Sequence, residues 1–246
     1  MVTIRIFVIF LSLIVAAQAN KYYCQYTCNN GKTNLGCDHS QEPDETCVDF
    51  KRLRLGAKEQ QIILDEHNRL RSLVATGQAK NGKGEKLPPA KNMNHLLWCN
   101  EMAYLAYLNV LQCKMRHDEC RDTYTQNGQN LYNVMSSTNL TIEHVIGTGI
   151  EMWFDEIEDV ELSEIESFTG GKGKIIGHFT QLVWAKSTYV GCALATYKRG
   201  NLNSYLLACN YVNGNMLFES VYDAGKTCAE CSSCTDTGLC KPYSPY

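Results

Sequence analysis

The segment Gly177-His178-Phe179-Thr180-Gln181-Leu182-Val183-Trp184 decides the fold of this chain. We interpret it as a histidine beside a short apolar strand, and ordered His, Gln and Trp positions over eight residues seldom arise by chance. Cys192 follows eight residues after Trp184, and a second β-prone run, Tyr205-Leu206-Leu207-Ala208-Cys209-Asn210-Tyr211, also contains a cysteine. Cys192 can therefore reach Cys209 across a hairpin.

Outside this segment, helical patterns come first and strand patterns come last. Apolar residues that recur every three or four positions predict three helices, the first starting near Gln61. The residues that carry the three patterns are Ile63, His67, Leu70 and Val74; then Trp98, Met102, Leu105 and Leu108; then Ile142, Val145, Gly149, Trp153 and Ile157. Two β-prone runs, 189–196 and 204–212, flank a turn-like linker. Helices before strands, without strand–helix–strand alternation, predict an α+β layered domain.

The amino terminus has the three parts of a secretory signal peptide. Arg5 is followed by an apolar run of ten residues from Ile6 to Val15, and Ala17-Gln18-Ala19 is a small-x-small cleavage site. A transmembrane helix needs ~20 apolar residues, so this run is too short to span a bilayer. We therefore predict a signal peptide over 1–19 and a secreted, extracellular protein that does not span a membrane.

Composition narrows the class of protein further. The chain has 246 residues and a net charge of −3 with both signs dispersed, so no basic stripe indicates a nucleic-acid partner. All 13 cysteines follow the signal peptide, in a compartment where disulfides persist. We expect a disulfide-tied arm over 20–56, a main domain over 57–224 and a short cysteine-rich tail over 225–246. In that tail, Cys228, Cys231, Cys234 and Cys240 are expected to form two disulfides rather than a metal cluster.

Six segments together resemble one family. In chain order they are Asp65-Glu66-His67-Asn68-Arg69-Leu70-Arg71, Pro88-Pro89-Ala90-Lys91-Asn92-Met93, Cys113 to Cys120, Asn127-Gly128-Gln129-Asn130-Leu131, Trp153 to Glu156, and the His178 motif. They resemble the antigen-five branch of the CAP superfamily of cysteine-rich secretory, antigen-five and pathogenesis-related proteins. The form of the last strand, 209–215, favours the fly-type members. The resemblance implies a three-layer α-β-α sandwich.

The resemblance also implies four disulfides, among them bridges that hold the arm onto the second helix. They are Cys24–Cys37, Cys28–Cys120, Cys47–Cys113 and Cys192–Cys209. Because 13 is odd, one cysteine stays unpaired in a monomer, and Cys99 is the candidate. Two alternatives stay open: a free Cys99 thiol that is inert or links two copies into a dimer, and a bridge from Cys99 to the tail.

The resemblance implies a central cavity with two histidines and two acidic residues. His117 and His178 match the two histidines. Glu156 matches one acid, whereas Gln129 stands where the other is expected. Three interpretations stay open: histidines hydrogen-bonded to Glu156 and Gln129, a divalent metal such as zinc on both histidines, and metal-dependent hydrolysis. No motif marks the Cys or Ser nucleophile that hydrolysis would use. Restoring the acid with Gln129→Glu is expected to strengthen metal binding.

The function that the resemblance implies is a secreted, non-enzymatic protein that binds a small hydrophobic ligand: a sterol, a fatty acid or a lipid mediator. The apolar faces of the first and third helices favour such a ligand, with simple core packing as the alternative. A salivary or venom factor acting on host proteins is the second function. No cofactor is required. Asn139-Leu140-Thr141 predicts a glycan on Asn139, and Arg199-Gly200-Asn201, which lacks the carboxylate of an adhesion loop, predicts an ordinary hairpin turn.

Overall fold

A five-stranded sheet forms the middle layer of the fold in a computed structural model that describes residues 21–242. The strands are β1 (Val48–Leu53), β2 (Leu97–Trp98), β3 (Gly128–Ser136), β4 (Tyr189–Arg199) and β5 (Leu202–Tyr211). The order is β1-β4-β5-β3 with antiparallel neighbours, and the two-residue β2 pairs in parallel with β4. The predicted signal peptide of residues 1–19 lies outside the described residues.

Helices cover both faces of this sheet. They are α1 (Ala57–Ala75), α2 (Asn100–Val110), α3 (Ile142–Asp155), α4 (Leu162–Glu166) and α5 (Gly177–Leu182), with a 3-10 turn at Glu156–Asp159 directly after α3. Alternate side chains of each strand enter different cores. Leu194 and Leu207 pack with α1, α3 and α5, whereas Ala195 and Leu206 pack with α2. The α+β, three-layer α-β-α sandwich is therefore confirmed.

The long helices begin and end where local chemistry satisfies their free backbone groups. The Glu59 carboxylate accepts the Gly56 N–H at 2.8 Å in front of α1. Gly77, at φ 69°, follows the end of this helix in the left-handed conformation that glycine tolerates. The Thr141 side chain accepts the His144 N–H at the start of α3. α1 thus begins four residues before the predicted Gln61, because its first turn is polar.

Three sequence-based predictions of secondary structure were wrong. The segment that contains His178 forms the helix α5, not a strand. The prediction failed because six residues are too few for apolar periodicity to separate a helix from a strand. Trp98 lies in β2, and the second helix starts at Asn100. The third helix ends at Asp155, so Ile157 lies in the 3-10 turn.

Two edge strands were not predicted. The first, β1, belongs to the predicted loop-rich arm, and its burial pattern is mostly exposed. The second, β3, has three asparagine or glutamine side chains that interrupt its apolar pattern. Both edge strands owe their pairing to partners distant in sequence.

Six disulfides join twelve of the thirteen cysteines. Four are Cys24–Cys37, Cys28–Cys120, Cys47–Cys113 and Cys192–Cys209, the pairs that the resemblance implies, and the tail has Cys228–Cys234 and Cys231–Cys240. Cys99 is the remaining thiol and lies half-buried in front of α2. The tail packs on the main domain, where Leu239 is fully buried. Among helices of the described part of the chain, none is long and apolar enough to cross a bilayer.

Candidate functional site

The predicted site residues meet at the start of β3, an edge strand of the sheet. Successive side chains of this strand point to opposite layers. Gln129 points to the α2 side, where it pairs with Asn210, and Asn130 points to the α5 side, where its amide donates to the His178 carbonyl at 3.0 Å. Gly128 in front of them packs so closely on Gln181 that a Cβ there would lie 1.8 Å from the glutamine oxygen. The cleft therefore lies across the edge of the sheet, between two layers.

His117 reaches this cleft from the loop after α2, and Gln129 fixes its tautomer. The Gln129 Oε1 atom accepts the Asp118 backbone N–H at 3.3 Å, and its Nε2 atom donates to the Asp118 carboxylate at 2.7 Å. The amide cannot be flipped, because a backbone N–H only donates and a carboxylate only accepts. His117 Nδ1, 2.9 Å from Oε1, must then be the donor. The lone pair of the neutral ring is therefore on Nε2.

His178 reaches the cleft from the first turn of α5, and Glu156 fixes its tautomer in the same way. One Glu156 oxygen lies 2.6 Å from His178 Nδ1. The other accepts the backbone N–H groups of His178 and Phe179 at 2.8 and 3.0 Å. Glu156 thus satisfies the start of α5 and orients the ring. Among the described residues, no hydrogen bond engages Nε2 of either His117 or His178.

The two rings face one another across the cleft. Their centroids are 6.5 Å apart with an interplanar angle of 35°. Trp153 stacks on the other side of His178, at 6.3 Å and 16°, and its indole N–H donates to the Leu131 carbonyl of β3 at 2.9 Å. The tryptophan therefore holds α3, β3 and the His178 ring together.

The surroundings of His117, whose side chain is exposed, favour its neutral form. Desolvation lowers its pKa, and the cationic Arg121 and the second histidine act in the same direction. The neighbouring Asp118 is buried, and burial raises the pKa of its carboxyl, although hydrogen bonds from Asn109 and Gln129 oppose this. Metal ions bind a neutral imidazole through the nitrogen that carries no proton, while the other nitrogen donates its N–H to a neighbour.

Two histidines are the protein ligands that this cleft offers. Within residues 21–242, the one group of three or more His, Cys, Asp or Glu ligand atoms close enough to share an ion is Cys24, Cys37 and Asp38. Its two sulfurs are joined in a disulfide and are not thiolate ligands. A metal ion in the cleft would therefore complete its coordination with water.

Comparison with known proteins identifies the family. The cysteine-rich secretory protein family, CAP, matches residues 64–211. The chain belongs to this family. It is 35% identical over 205 residues to venom allergen 5 of Vespula maculifrons, covering 81% of this chain and 98% of that relative. It is 32% identical over 220 residues to venom allergen-1 of Aedes aegypti, covering 87% and 81%.

Two further comparisons show the range of the CAP family. The chain is 38% identical over 214 residues to "CRISP/Allergen/PR-1" of Trittame loki, but the match covers 81% of this chain and 52% of that relative, about half its length. Among solved structures, the crystal structure of NaASP2 with Zn²⁺ is similar with a TM-score of 0.64 and 28% identity, covering 81% of this chain and 99% of that one. The antigen-five-like assignment is confirmed. Relatives from Vespula and Aedes match to a similar degree, so the fly-type branch stays a prediction.

Sequence reasoning placed the four cavity residues of this CAP protein but missed their supports. Asp118 accepts from Asn109, Gln112 and Gln129, at 2.8, 2.8 and 2.7 Å. The buried carboxylate explains why Gln129 stands at the position of the family acid: its amide group donates there, which a carboxylate cannot do. The adjacent pair His117-Asp118 was the available signal, but its partners lie at the end of α2 and on β3.

Proposed function

We propose that this CAP protein is an extracellular, non-enzymatic binding protein whose cleft holds a divalent metal ion such as zinc. The ion would bind Nε2 of His117 and of His178. One observation carries the proposal: each ring donates Nδ1–H to a glutamine or glutamate oxygen, which leaves the lone pair on Nε2 free to bind an ion. Orienting a histidine through its other nitrogen is the usual outer-shell arrangement of metal sites.

The similarity to NaASP2, solved with Zn²⁺, supports the same proposal. A catalytic zinc usually has three protein ligands, and a structural zinc has four. Two imidazoles with water favour a weaker, exchangeable ion. Zinc affinity should also fall as the pH drops, because protons compete with the ion for the imidazole nitrogens.

Calorimetric titration of the secreted protein with zinc tests the proposal at about pH 7.5, where imidazole is mostly neutral. We expect one ion per chain for the wild type and none for His117→Ala/His178→Ala. His144→Ala removes an exposed histidine of α3 and serves as the matched control with unchanged binding. Equal heats from the wild type and the double variant would sink the metal proposal.

The surroundings of Nε2 support a non-enzymatic role. Among the described residues, no hydroxyl or thiol that either ring could activate forms a hydrogen bond with Nε2 of His117 or His178. Incubating the zinc-loaded protein with ester and peptide substrates checks this point. Turnover that a chelator abolishes and that His178→Ala removes would establish the metal-dependent hydrolase instead.

A small hydrophobic ligand is the second candidate, and a cavity favours it. The predicted groove along the first and third helices has no room, because Ile63, Val74, Val145 and Ile150 are at most 1% exposed. A separate cavity of about 270 Å³ opens beside Leu140 and other apolar side chains at the end of the sheet. Lipid extraction and mass spectrometry of the secreted protein would test this function. Recovery of no lipid, with no sterol or fatty-acid binding in solution, counts against it.

Three properties complete the proposal: secretion, a glycan on the exposed Asn139, and a Cys99 that is either a monomer thiol or a dimer bridge. Intact-mass analysis of the secreted protein, with and without glycosidase and reductant, separates all of them in one experiment. A mature mass starting at Met1, an unmodified Asn139 or a Cys99 bridged to another cysteine of the same chain would each overturn the corresponding property. No surface feature of residues 21–242 selects a host protein, so a salivary or venom role stays a prediction.

A further inference from the structure

The sheet extends past the start of α3, and this leaves one part of its face uncovered. The side chains of Leu194 and Leu207 lie under the helices, but the face continues to Thr196 and Tyr205 and then to Lys198 and Asn203. The loop before α3 closes the space from above, where the Leu140 N–H donates to the Tyr205 hydroxyl at 3.0 Å. The result is the cavity of about 270 Å³.

One wall of this cavity is apolar. Leu53 of β1, Leu140 and Ile142 line it, and each of the three is half-buried and packs against the main core. Tyr205 adds the face of its ring and is only 4% exposed. Since its hydroxyl is already hydrogen-bonded, the ring presents mainly its carbon surface. This wall fits an aliphatic chain.

The mouth of the cavity is cationic. Lys51 lies opposite Thr196 in the β1–β4 register, and Lys198 lies two residues along β4 on the same face. Neither ammonium forms an ion pair among the described residues. By contrast, Lys58, Lys83 and Lys186 each pair with a glutamate distant in sequence. Asp49 is the one acidic side chain of the lining, so the mouth keeps an excess positive charge.

We propose that this cavity binds a small organic anion with an aliphatic chain, such as a medium-chain fatty acid. The carboxylate lies at Lys51 and Lys198, and the chain lies against Leu53, Leu140, Ile142 and Tyr205. The inference rests on the hydrophobic-ligand function proposed above and selects among its ligands. A sterol lacks the anion, and the volume of about 270 Å³ is just below the ~300–1,000 Å³ of drug-sized pockets, so the cavity favours the acid.

Calorimetry with decanoate and decanol on the delipidated, disulfide-intact protein tests the inference. The two probes share the chain and differ in the charge. Decanoate is expected to bind about tenfold more tightly than decanol, the gain of a partly exposed charge-assisted contact. Lys51→Gln/Lys198→Gln should lower the decanoate affinity to that of decanol and leave the decanol affinity unchanged.

A second double variant controls for net charge. Lys80→Gln/Lys86→Gln removes two exposed lysines from the loop after α1, which contacts the 3-10 turn that follows α3. It should bind both probes like the wild type. Equal affinity for decanoate and decanol, or an unaffected Lys51→Gln/Lys198→Gln variant, would overturn the anion site and leave hydrophobic-ligand binding standing. Binding of neither probe would overturn both.

Discussion

Two histidines on either side of Trp153 have opposite roles. The centroid of the His67 ring lies 6.4 Å from that of the indole, and the centroid of the His178 ring lies 6.3 Å from it. His67 uses both nitrogens: Nδ1 donates to the Ile63 carbonyl at 2.7 Å, and Nε2 accepts from the Tyr211 hydroxyl at 2.8 Å. His178 uses only Nδ1, on Glu156.

The difference shows that the second nitrogen decides what a histidine does. His67 is fully buried, and desolvation lowers its pKa to about 4, with a further contribution from Arg71. It is a neutral structural residue that has no atom left for a ligand. His178 lies at a cleft with a lone pair available, although it shares the same tryptophan. The comparison makes four predictions, given from the largest expected effect to the smallest.

Removing the buried histidine should damage the fold without touching the cleft. His67→Ala leaves a cavity and a buried Tyr211 O–H without its acceptor, and we expect a loss of about 4 kcal/mol in the free energy of unfolding. Denaturant unfolding measures this loss, and His144→Ala on the surface should change it by less than about 0.5 kcal/mol. Zinc affinity of folded His67→Ala should match the wild type. A lost zinc site at unchanged stability would reverse the two roles.

Acid should destabilise the protein through His67. Its folded pKa of about 4 is below the unfolded value, so the unfolded state binds the proton first as the pH falls. The stabilisation is complete above about pH 6.5 and declines by roughly 3 kcal/mol toward pH 4. His39, His95 and His117, whose pKa values are also lowered, act in the same direction.

Imidazole NMR separates these contributions without any substitution. At about pH 5 the His67 ring should still be neutral, because desolvation lowers its pKa to about 4. A His67 ring that titrates near the ordinary histidine pKa of ~6.5 would contradict its buried, neutral assignment.

The stability of the cleft depends on the buried Asp118, which is hydrogen-bonded to Gln129. Nε2 of Gln129 donates to the Asp118 carboxylate at 2.7 Å and to the side-chain oxygen Oδ1 of Asn210 at 3.0 Å. Gln129→Glu would instead direct a carboxylate oxygen at both acceptors. We expect a loss of about 2 kcal/mol in stability and no tighter zinc binding. This reverses the expectation drawn from the family acid alone.

The double variant Gln129→Glu/Asp118→Asn checks this reasoning, because it restores one donor and one acceptor in exchanged positions. It should recover most of the lost stability in a double-mutant cycle. Tighter zinc binding by Gln129→Glu alone, at wild-type stability, would favour the original expectation.

The smallest effect concerns the orientation of His178. Glu156→Gln retains the volume but offers only one acceptor oxygen to the ring and to the two backbone N–H groups. Zinc affinity should fall about tenfold, the lower range for loss of an outer-shell partner. Calorimetry measures the zinc affinity, with Glu158→Gln in the same 3-10 turn as the matched control. An unchanged affinity would show that the ring is held by Trp153 stacking alone.

Much of the fold was predictable because its signals are local. The α1 and α3 stripes and the β4–β5 hairpin each depend on spacings within one short segment, and all three are present in the structure. The edge strands and α5 were missed or misassigned for the opposite reason. β1 and β3 pair with strands more than sixty residues away, and α5 depends on the Glu156 carboxylate from another segment.

The sequence by itself determined the family and the layered α+β fold, and it predicted the cavity residues His117, His178, Gln129 and Glu156. Only the tertiary structure decided what each of them does. It left Nε2 unused on His178 but not on His67, matched Gln129 to a buried Asp118, and left an open cavity between Lys51 and Leu140. Hydrogen bonds and packing depend on atoms from segments far apart in the chain, and residue order does not record which nitrogen remains without a partner.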